Sequence, residues 1–456
     1  MAKKKQIELT IEEKLQNALV PKEEQPYKIP NNWCWTRLTF LSDLLTGNSI
    51  NAKEKENKYM NLSEGYNYIA TKDISFNSNI NYNNGVKIPF ENNFKIAKKN
   101  SSLLCIEGGS AGRKIGFLNQ DVCFVNKLCA FYPIKIEAKY LFYFLQSPIF
   151  NISFKEKMNG LIGGVSVAKL KDIPIILPPI NEQQRIVNII ESLFTKLDRA
   201  KELIENTLAQ FEQNKMAILH KAFIGELTAK WRKENNIDLS SWQEKTIDEL
   251  CTSLKYGTSK KSKPEGSVVV LRMGNLQNGE IDWSNLMYTD DKDDIEKYLL
   301  KKGDVLFNRT NSPELVGKTS IYRGEYPAIY AGYLIKLDYG KDIIGEYLNY
   351  MMNSTKAKHY CYTVKTDGVS QSNINAKKIG AFEIPVPTIE EQQEIVNILD
   401  KLLAKYNKIK NLEQQLEKIE LLKKAILAKA FRGELGTNNP DEESAENLLK
   451  EILAEK

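Results

Sequence analysis

Residues 182 to 190 read EQQRIVNII, and residues 391 to 399 read EQQEIVNIL; seven of the nine positions are identical. A match of that quality at long separation is the signature of an internal repeat, and it sets the frame for every other feature. A second block, MAILHKAFIGEL at residues 216 to 227, returns as KAILAKAFRGEL at residues 424 to 435. The offset between copies is 209 in the first block and 208 in the second, so one residue has been lost between them. Pro178-Pro179-Ile180 likewise matches Pro387-Thr388-Ile389, and Trp33, Leu38 and Leu41 match Trp242, Ile247 and Leu250. The chain is two copies of one unit.

Each repeated block opens an apolar stripe. In the first copy Ile186, Ile190, Leu193, Leu197, Ala200, Ile204, Phe211 and Ile218 follow alternating steps of four and three, with Thr207 and Asn214 filling the gaps. The second copy runs Ile395, Leu399, Leu402, Tyr406, Ile409, Leu412, Leu416, Ile419 and Ile426. Such spacing is a coiled-coil seam. Proline before each start, and Gly225 or Gly433 after each end, delimit two helices of about 40 residues, about 60 Å long at 1.5 Å per residue. Each helix could pack on its own module, or two chains could pair, but the matching stripes favour an intramolecular pair. An antiparallel pair related by a pseudo-twofold suits a duplicated chain best.

With 456 residues and 42% apolar content, the chain is too long for one ordinary core and is globular in composition. Its net charge of +6 fits local basic surfaces and not a polycation. The six cysteines (Cys34, Cys105, Cys123, Cys129, Cys251, Cys361) form no C-x-x-C pair, and His220 and His359 lie far apart, which disfavours a zinc cluster or a disulfide framework. The opening MAKKKQIELT has no apolar signal core, and three prolines break the apolar run Ile173 to Ile180. A soluble cytoplasmic protein is expected.

The expected architecture is α+β: two α/β modules at opposite ends of an antiparallel pair of long coiled-coil helices. Its parts are a helical leader (1–30), the first module (31–180), the first long helix and its end motif (181–230), a linker (231–241), the second module (242–389), the second long helix and its end motif (390–436) and a helical tail (437–456). Thr10 and Glu13 form a T-x-x-E capping box for a helix in the leader, and Leu448, Leu449, Ile452 and Leu453 mark one face of a helix in the tail. These terminal helices either close the ring of elements or dock partners.

Within the modules, Val268 to Leu271, Asp304 to Phe307 and Ser320 to Tyr322 read as strands and Glu346 to Met352 as a helix, between Asn- and Gly-rich turns. Only fragments correspond between the modules: Ala111-Gly112-Arg113-Lys114 beside Val316-Gly317-Lys318-Thr319, and Gly164-Val165-Ser166 beside Gly368-Val369-Ser370. Residues 31 to 180 hold 18 Lys or Arg against 11 Asp or Glu, whereas the second module is nearly balanced. Loops mixing Arg, Lys, Asn, Gln and Ser suit DNA, since Arg and Lys pair with guanine edges, Asn and Gln with adenine, and all of them hold phosphates. The first module offers Thr71, Lys72, Asp73, Ser110, Arg113, Lys114 and Ser166. The second offers Arg272, Asn275, Arg309, Thr310, Asn311, Lys318, Ser370, Gln371, Ser372 and Asn373.

Other chemistries find little support. Val316-Gly317-Lys318-Thr319-Ser320 looks like the tail of a P-loop, but Ser312 stands where that motif needs glycine. Gly108 to Gly112 reads first as a turn and second as an anion nest that a DNA phosphate could visit. Asp290, Asp291, Asp293 and Asp294 lack the glycine and final glutamate of a calcium loop and read as a solvated turn. Asn439-Pro440 is followed by Asp441, so the N-P-P-[YF] tetrapeptide of amino-methyltransferases is missing.

The repeated plan of Trp opening (Trp33, Trp242), diverged module, proline-led E-Q-x-x-I helix start (Pro178 to Ile186, Pro387 to Ile395) and G-E-L ending (Gly225 to Leu227, Gly433 to Leu435) resembles type I restriction-modification specificity subunits. The leader Ala18 to Tyr27 is similar too, so the resemblance covers nearly the whole chain. It implies two target recognition domains, each reading one half of a split and asymmetric duplex target, with the paired helices as a ruler. It also implies a non-catalytic chain that anchors two modification (methyltransferase) subunits and two restriction (endonuclease and translocase) subunits, with no membrane partner. S-adenosylmethionine, ATP and magnesium would serve those partners and not this chain. A protein- or sugar-binding scaffold, or a self-sufficient nuclease or methyltransferase, remains the rival reading.

Overall fold

The structure is a computed structural model that describes every residue except 1–8, 92, 159–162, 405–408 and 456. It divides into two compact units, residues 1–203 with 414–456 and residues 204–413. Unit boundaries therefore fall inside the long helices and not at the module edges, because each unit contains a module, the start of one long helix and the end of the other.

In the first unit, Cys34–Arg37 pairs antiparallel with Pro174–Leu177 and ties the two ends of the module together. Beyond this neck lies a four-stranded antiparallel sheet in the order Ser42–Thr46, Leu128–Pro133, Ser102–Cys105, Ile115–Phe117. One of its two inner strands, SLLC, is buried throughout. A second sheet runs Lys87–Ile88, Tyr66–Ile69, Val122–Phe124, Ile96–Ala97, with a parallel pair at its middle. Helices Ala138–Phe144 and Pro148–Glu156 complete the module; Ser147 caps the second of these, with proline at its first position, where a missing N–H costs nothing.

The second unit repeats this plan. Gln243–Thr246 pairs with Glu383–Val386 at the neck. The four-stranded sheet runs Cys251–Tyr256, Leu334–Tyr339, Val305–Asn308, Thr319–Ile321, and a three-stranded sheet runs Tyr288–Thr289, Val268–Leu271, Ala328–Tyr330. A further small sheet joins Thr310–Asn311, Ser372–Asn373 and Thr366–Asp367. Helices Gly345–Met352 and Thr355–Val364 lie where their counterparts do in the first unit.

The first long helix spans Ile180–Phe223 without a break, 44 residues, and Gly225 follows it at φ +79°. Such a left-handed residue ends a helix and is open to glycine at little strain. The second long helix is described as Ile389–Ala404 and Ile409–Ala430, with Gly433 at φ +74° beyond it. In the first unit Lys201 bonds Glu420 and Lys423 bonds Asp198, so numbers rise along one helix as they fall along the other: the pair is antiparallel. Of the seam positions, Ile186, Ile190, Ile395, Leu399 and Ile419 are buried, and Leu193, Leu197, Ala200, Ile204, Phe211, Ile218, Leu402, Leu412, Leu416 and Ile426 are partly so. Tyr406 and the side chain of Ile409 lie outside the described residues.

The repeated E-Q dipeptide has a physical cause. Glu182 is fully buried and accepts from Trp33 Nε1 (2.7 Å), Thr437 Oγ1 (3.0 Å) and Asn438 Nδ2 (3.0 Å). In the other unit Glu391, equally buried, accepts from Trp242 Nε1 (2.8 Å), Thr228 Oγ1 (2.6 Å) and Arg232 (2.6 Å). Buried carboxylates are tolerated only when so saturated. Each one joins the start of one long helix, the module's Trp opening and the threonine just after the end of the other helix. The neighbouring glutamines act alike: Gln183 accepts from Glu137 N and donates to Pro178 O, and Gln392 accepts from Ile344 N and donates to Pro387 O. Tyr140 and Phe144 pack on Phe431, and Tyr347 on Phe223, so the repeated K-A-F element plugs each module onto a helix end.

In the first unit the leader helix Ile11–Ala18, opened by the Thr10–Glu13 capping box, packs beside the tail helix Ala445–Glu455, whose Leu449, Ile452 and Leu453 are buried. Among the described residues no helix is long and apolar enough to cross a membrane.

Candidate nucleic-acid interface

In the first module, strand Tyr66–Ile69 runs into a single turn, Thr71–Asp73, whose Asp73 carboxylate is buried and accepts from Ala70 N (2.9 Å). Asp73 thus holds the turn, while Lys72 projects as an exposed residue. Lys114 Nζ reaches across from the next loop to Thr71 O (3.0 Å). Arg113 and Lys114 also stand over the ring of Phe76, 4.9 and 5.1 Å from its centre, and that ring is 61% exposed. The glycine run is a turn: Gly112 has φ +70°, donates to Cys105 O (2.8 Å), and a Cβ there would collide with the Phe154 ring. Gly108 N donates to Gly163 O (2.9 Å) and brings Ser110 near the segment ending at Ser166, which caps helix Val167–Lys171.

In the second module, Asn275 is 3% exposed; it accepts from Arg272 N and donates to Asp282 O and Ser284 O. It therefore pins its turn as Asp73 does. Arg272 donates to Asn285 O (2.8 Å). Lys318 Nζ donates to Gln277 Oε1 (2.9 Å), and partial burial pulls its ammonium below the ordinary lysine range. The guanidinium of Arg309 lies 4.8 Å from the centre of the Tyr256 ring and donates to Asn373 Oδ1 (3.0 Å), while Asn373 Nδ2 donates to Thr310 Oγ1 (2.8 Å). Asn311 pairs with Ser372, which is buried and bonded to Asp367. Ser370 and Gln371 are exposed in the hairpin loop beside the fully exposed Val369.

The hydrogen bonds correct two of the fragment pairings between modules. Cys105 N donates to Lys114 O and Asn308 N to Lys318 O, so Lys114 corresponds to Lys318, one position away from the sequence pairing. Gly164 bridges Glu107, and Asn373 occupies the same place opposite Thr310. Ser166 caps Val167–Lys171 and Asn375 caps Ala376–Gly380, so Gly164-Val165-Ser166 is not the counterpart of Gly368-Val369-Ser370. A shared tripeptide misled because backbone pairing, and not side-chain identity, defines position in a sheet.

Among the described residues no group of three or more His, Cys, Asp or Glu is placed to hold a metal. Burial pushes the thiols of Cys123, Cys129, Cys251 and Cys361 up to about 12, far from nucleophilic. The acidic run is a helix cap: Asp291 accepts from Asp294 N, and Asp290 from Ser267 N.

The model of the type I restriction modification DNA specificity domain matches residues 30–210 and 240–421. The chain belongs to this family. The two matched stretches are the two repeats, each beginning beside its Trp opening and ending within a long helix. The type I restriction enzyme EcoKI specificity subunit of Escherichia coli K12 is 29% identical over 324 residues, covering 66% of this chain and 69% of that protein. The putative MjaX specificity subunit of Methanocaldococcus jannaschii is 31% identical over 198 residues, 42% of this chain and 45% of that one. A chain solved in work on complex assembly and conformational transition of the type I R-M system shares the fold, with a TM-score of 0.66 at 19% identity over 90% of this chain and all of that one.

Seen as a specificity-family chain, the protein carries two aromatic residues under its cations that its sequence did not single out, Phe76 and Tyr256. Phe76 is the aromatic in the Asn- and Ser-rich stretch Ser75 to Asn79, a detectable oddity. Tyr256 ends a strand and gives no local signal.

Proposed function

We propose that the chain is the DNA-reading subunit of a type I restriction-modification assembly, that it performs no catalysis, and that residues 31–180 and 242–389 are its two target recognition domains. The observation that carries this reading is the pair of clusters, one per module, in which cations sit on aromatic rings: Arg113 and Lys114 on Phe76, and Arg309 on Tyr256 with the Asn373 carboxamide beside it. Arginine and amide groups so fixed suit base edges and phosphates of a duplex. The clusters differ in composition, which fits two unlike half-sites and hence an asymmetric split target. The ruler reading rests on the length of the first long helix, 44 residues or about 66 Å if straight.

Two modification subunits and two restriction subunits complete the proposed assembly, working in the cytoplasm. S-adenosylmethionine belongs to the first pair, ATP and magnesium to the second. The decisive experiment exchanges residues 31–180 for the same module of a relative and maps methylated adenines across the genome. One half-site should change and the other stay; a change in both, or in neither, would overturn the division of labour. A protein-binding scaffold would lack the salt-sensitive duplex binding expected of the assembled complex.

A further inference from the structure

One position of the fold is filled differently in the two modules, and backbone bonds define it in each. Ile106 N donates to Lys127 O and Ile106 O accepts from Val165 N; Arg309 N donates to Tyr333 O and Arg309 O accepts from Ile374 N. Ile106 and Arg309 are therefore equivalent. By the same sheet registers Thr46 corresponds to Tyr256, and Gly164 to Asn373. In the first module these residues line a shallow hollow with Glu107 and Ser166. In the second the space holds a guanidinium, a phenol ring and a carboxamide.

The second cluster is built to hold one orientation. Tyr256 Oη accepts from Ala376 N (2.9 Å), which anchors the ring under Arg309, and Asn373 is itself held by Thr310. One guanidinium N–H goes to Asn373 and Nε is buried without a partner, so recognition falls to the remaining hydrogens on the terminal nitrogens. All five buried side-chain nitrogens and oxygens found without a partner among the described residues, Arg309 Nε and Asn308 Nδ2 included, lie in this module.

We infer that Arg309 reads a guanine in the half-site taken by the second module, with Tyr256 and Asn373 as its positioning residues, and that the first module has no such reader at the equivalent place. A fixed guanidinium edge matches the O6 and N7 acceptors of guanine, and ring support from Tyr256 restricts it to that plane. The inference rests on the reading of the chain as a DNA specificity subunit.

The test uses the full chain assembled with its modification subunits and duplexes of its methylated genomic site, with 7-deazaguanine replacing each guanine in turn. The wild-type complex should lose about ten-fold or more in affinity at one guanine of the half-site that survives exchange of residues 31–180. Arg309→Lys should bind more weakly and show no further loss at that guanine, with penalties in the other half-site and the salt slope unchanged. Tyr256→Leu, which keeps the cation, should give the same pattern more mildly and serves if the first variant fails to assemble. Unaltered discrimination, or a uniform weakening at every duplex as from a phosphate contact, would overturn the inference, as would a second half-site without guanine. If the wild-type complex shows no sequence preference at all, the underlying reading falls with it.

Discussion

Glu182 and Glu391 occupy the same place in the two repeats but have unequal partners. Glu391 holds Arg232, 2.6 Å away and almost fully buried, whereas the donors to Glu182 are neutral. Removing one member of a buried ion pair leaves an uncompensated charge, so Glu391→Ala should cost about 3–5 kcal/mol in thermal or denaturant unfolding. Glu182→Ala, which orphans neutral donors only, should cost about 1–3 kcal/mol; equal costs, or the reverse order, would refute this assignment. A second carboxylate sets a pH dependence. Arg185 grips Glu442 in a two-pronged pair at 2.7 Å for each bond, and this holds the Glu442 carboxyl below its ordinary value. A folded-state pKa that is lowered contributes stability above the ordinary carboxylate range and loses it as pH falls through the folded value. Arg185 is more than a third exposed, so the contribution should be on the order of 1 kcal/mol. Glu442→Gln should therefore lower the melting temperature at pH 7, and the difference should shrink as pH falls below the ordinary carboxylate range. That E-Q recurs was plain from the sequence; that the Glu would be buried under a tryptophan 149 positions away was not, since no local pattern encodes a partner at that distance.

The long helices and their ends could be read in advance because everything that makes them is local: proline entry, apolar stripe, glycine exit. Strands Val268–Leu271, Val305–Asn308 and Thr319–Ile321 and helix Gly345–Met352 also fall within a residue or so of their sequence readings. The hairpin that joins Thr366–Asp367 to Ser372–Asn373 was invisible, its two-residue strands being too short and polar to show alternation. The sites suffered most. Asp73, Asn275 and Ser372 have the composition of readers, yet they are buried and bonded within their own loops, while Phe76 and Tyr256 carry the cations. At this level the proposed ruler makes a quantitative claim. Seven residues inserted into both long helices, at matched places near the middle, keep the seam in phase and lengthen it by about 10 Å, about three base pairs. The preferred gap between half-sites in methylome maps should widen by that amount, or methylation should cease. Wild-type spacing in the altered chain would show that the helices do not set the gap.

Charge is distributed unevenly over the two modules. The first carries the basic excess, 18 Lys or Arg against 11 Asp or Glu in residues 31–180, and its Arg113 is exposed on a ring that is itself exposed. The second is nearly neutral, yet it fixes the Arg309 guanidinium on the Tyr256 ring beside the Asn373 carboxamide. Phosphate contacts release counterions and make affinity fall with salt, by a slope close to the number of phosphates neutralised, whereas bonds to base edges depend on salt far less. The two half-sites should accordingly be held by different mixtures of these forces. Duplexes keeping only the first half-site should lose affinity for the assembled complex steeply as salt rises, and Arg113→Ala should reduce that slope by about one. Duplexes keeping only the second half-site should show a shallower slope and greater sensitivity to base substitution. A slope as steep for the second half-site as for the first would mean that backbone contacts are shared evenly, and that the charge asymmetry along the chain serves something other than the duplex.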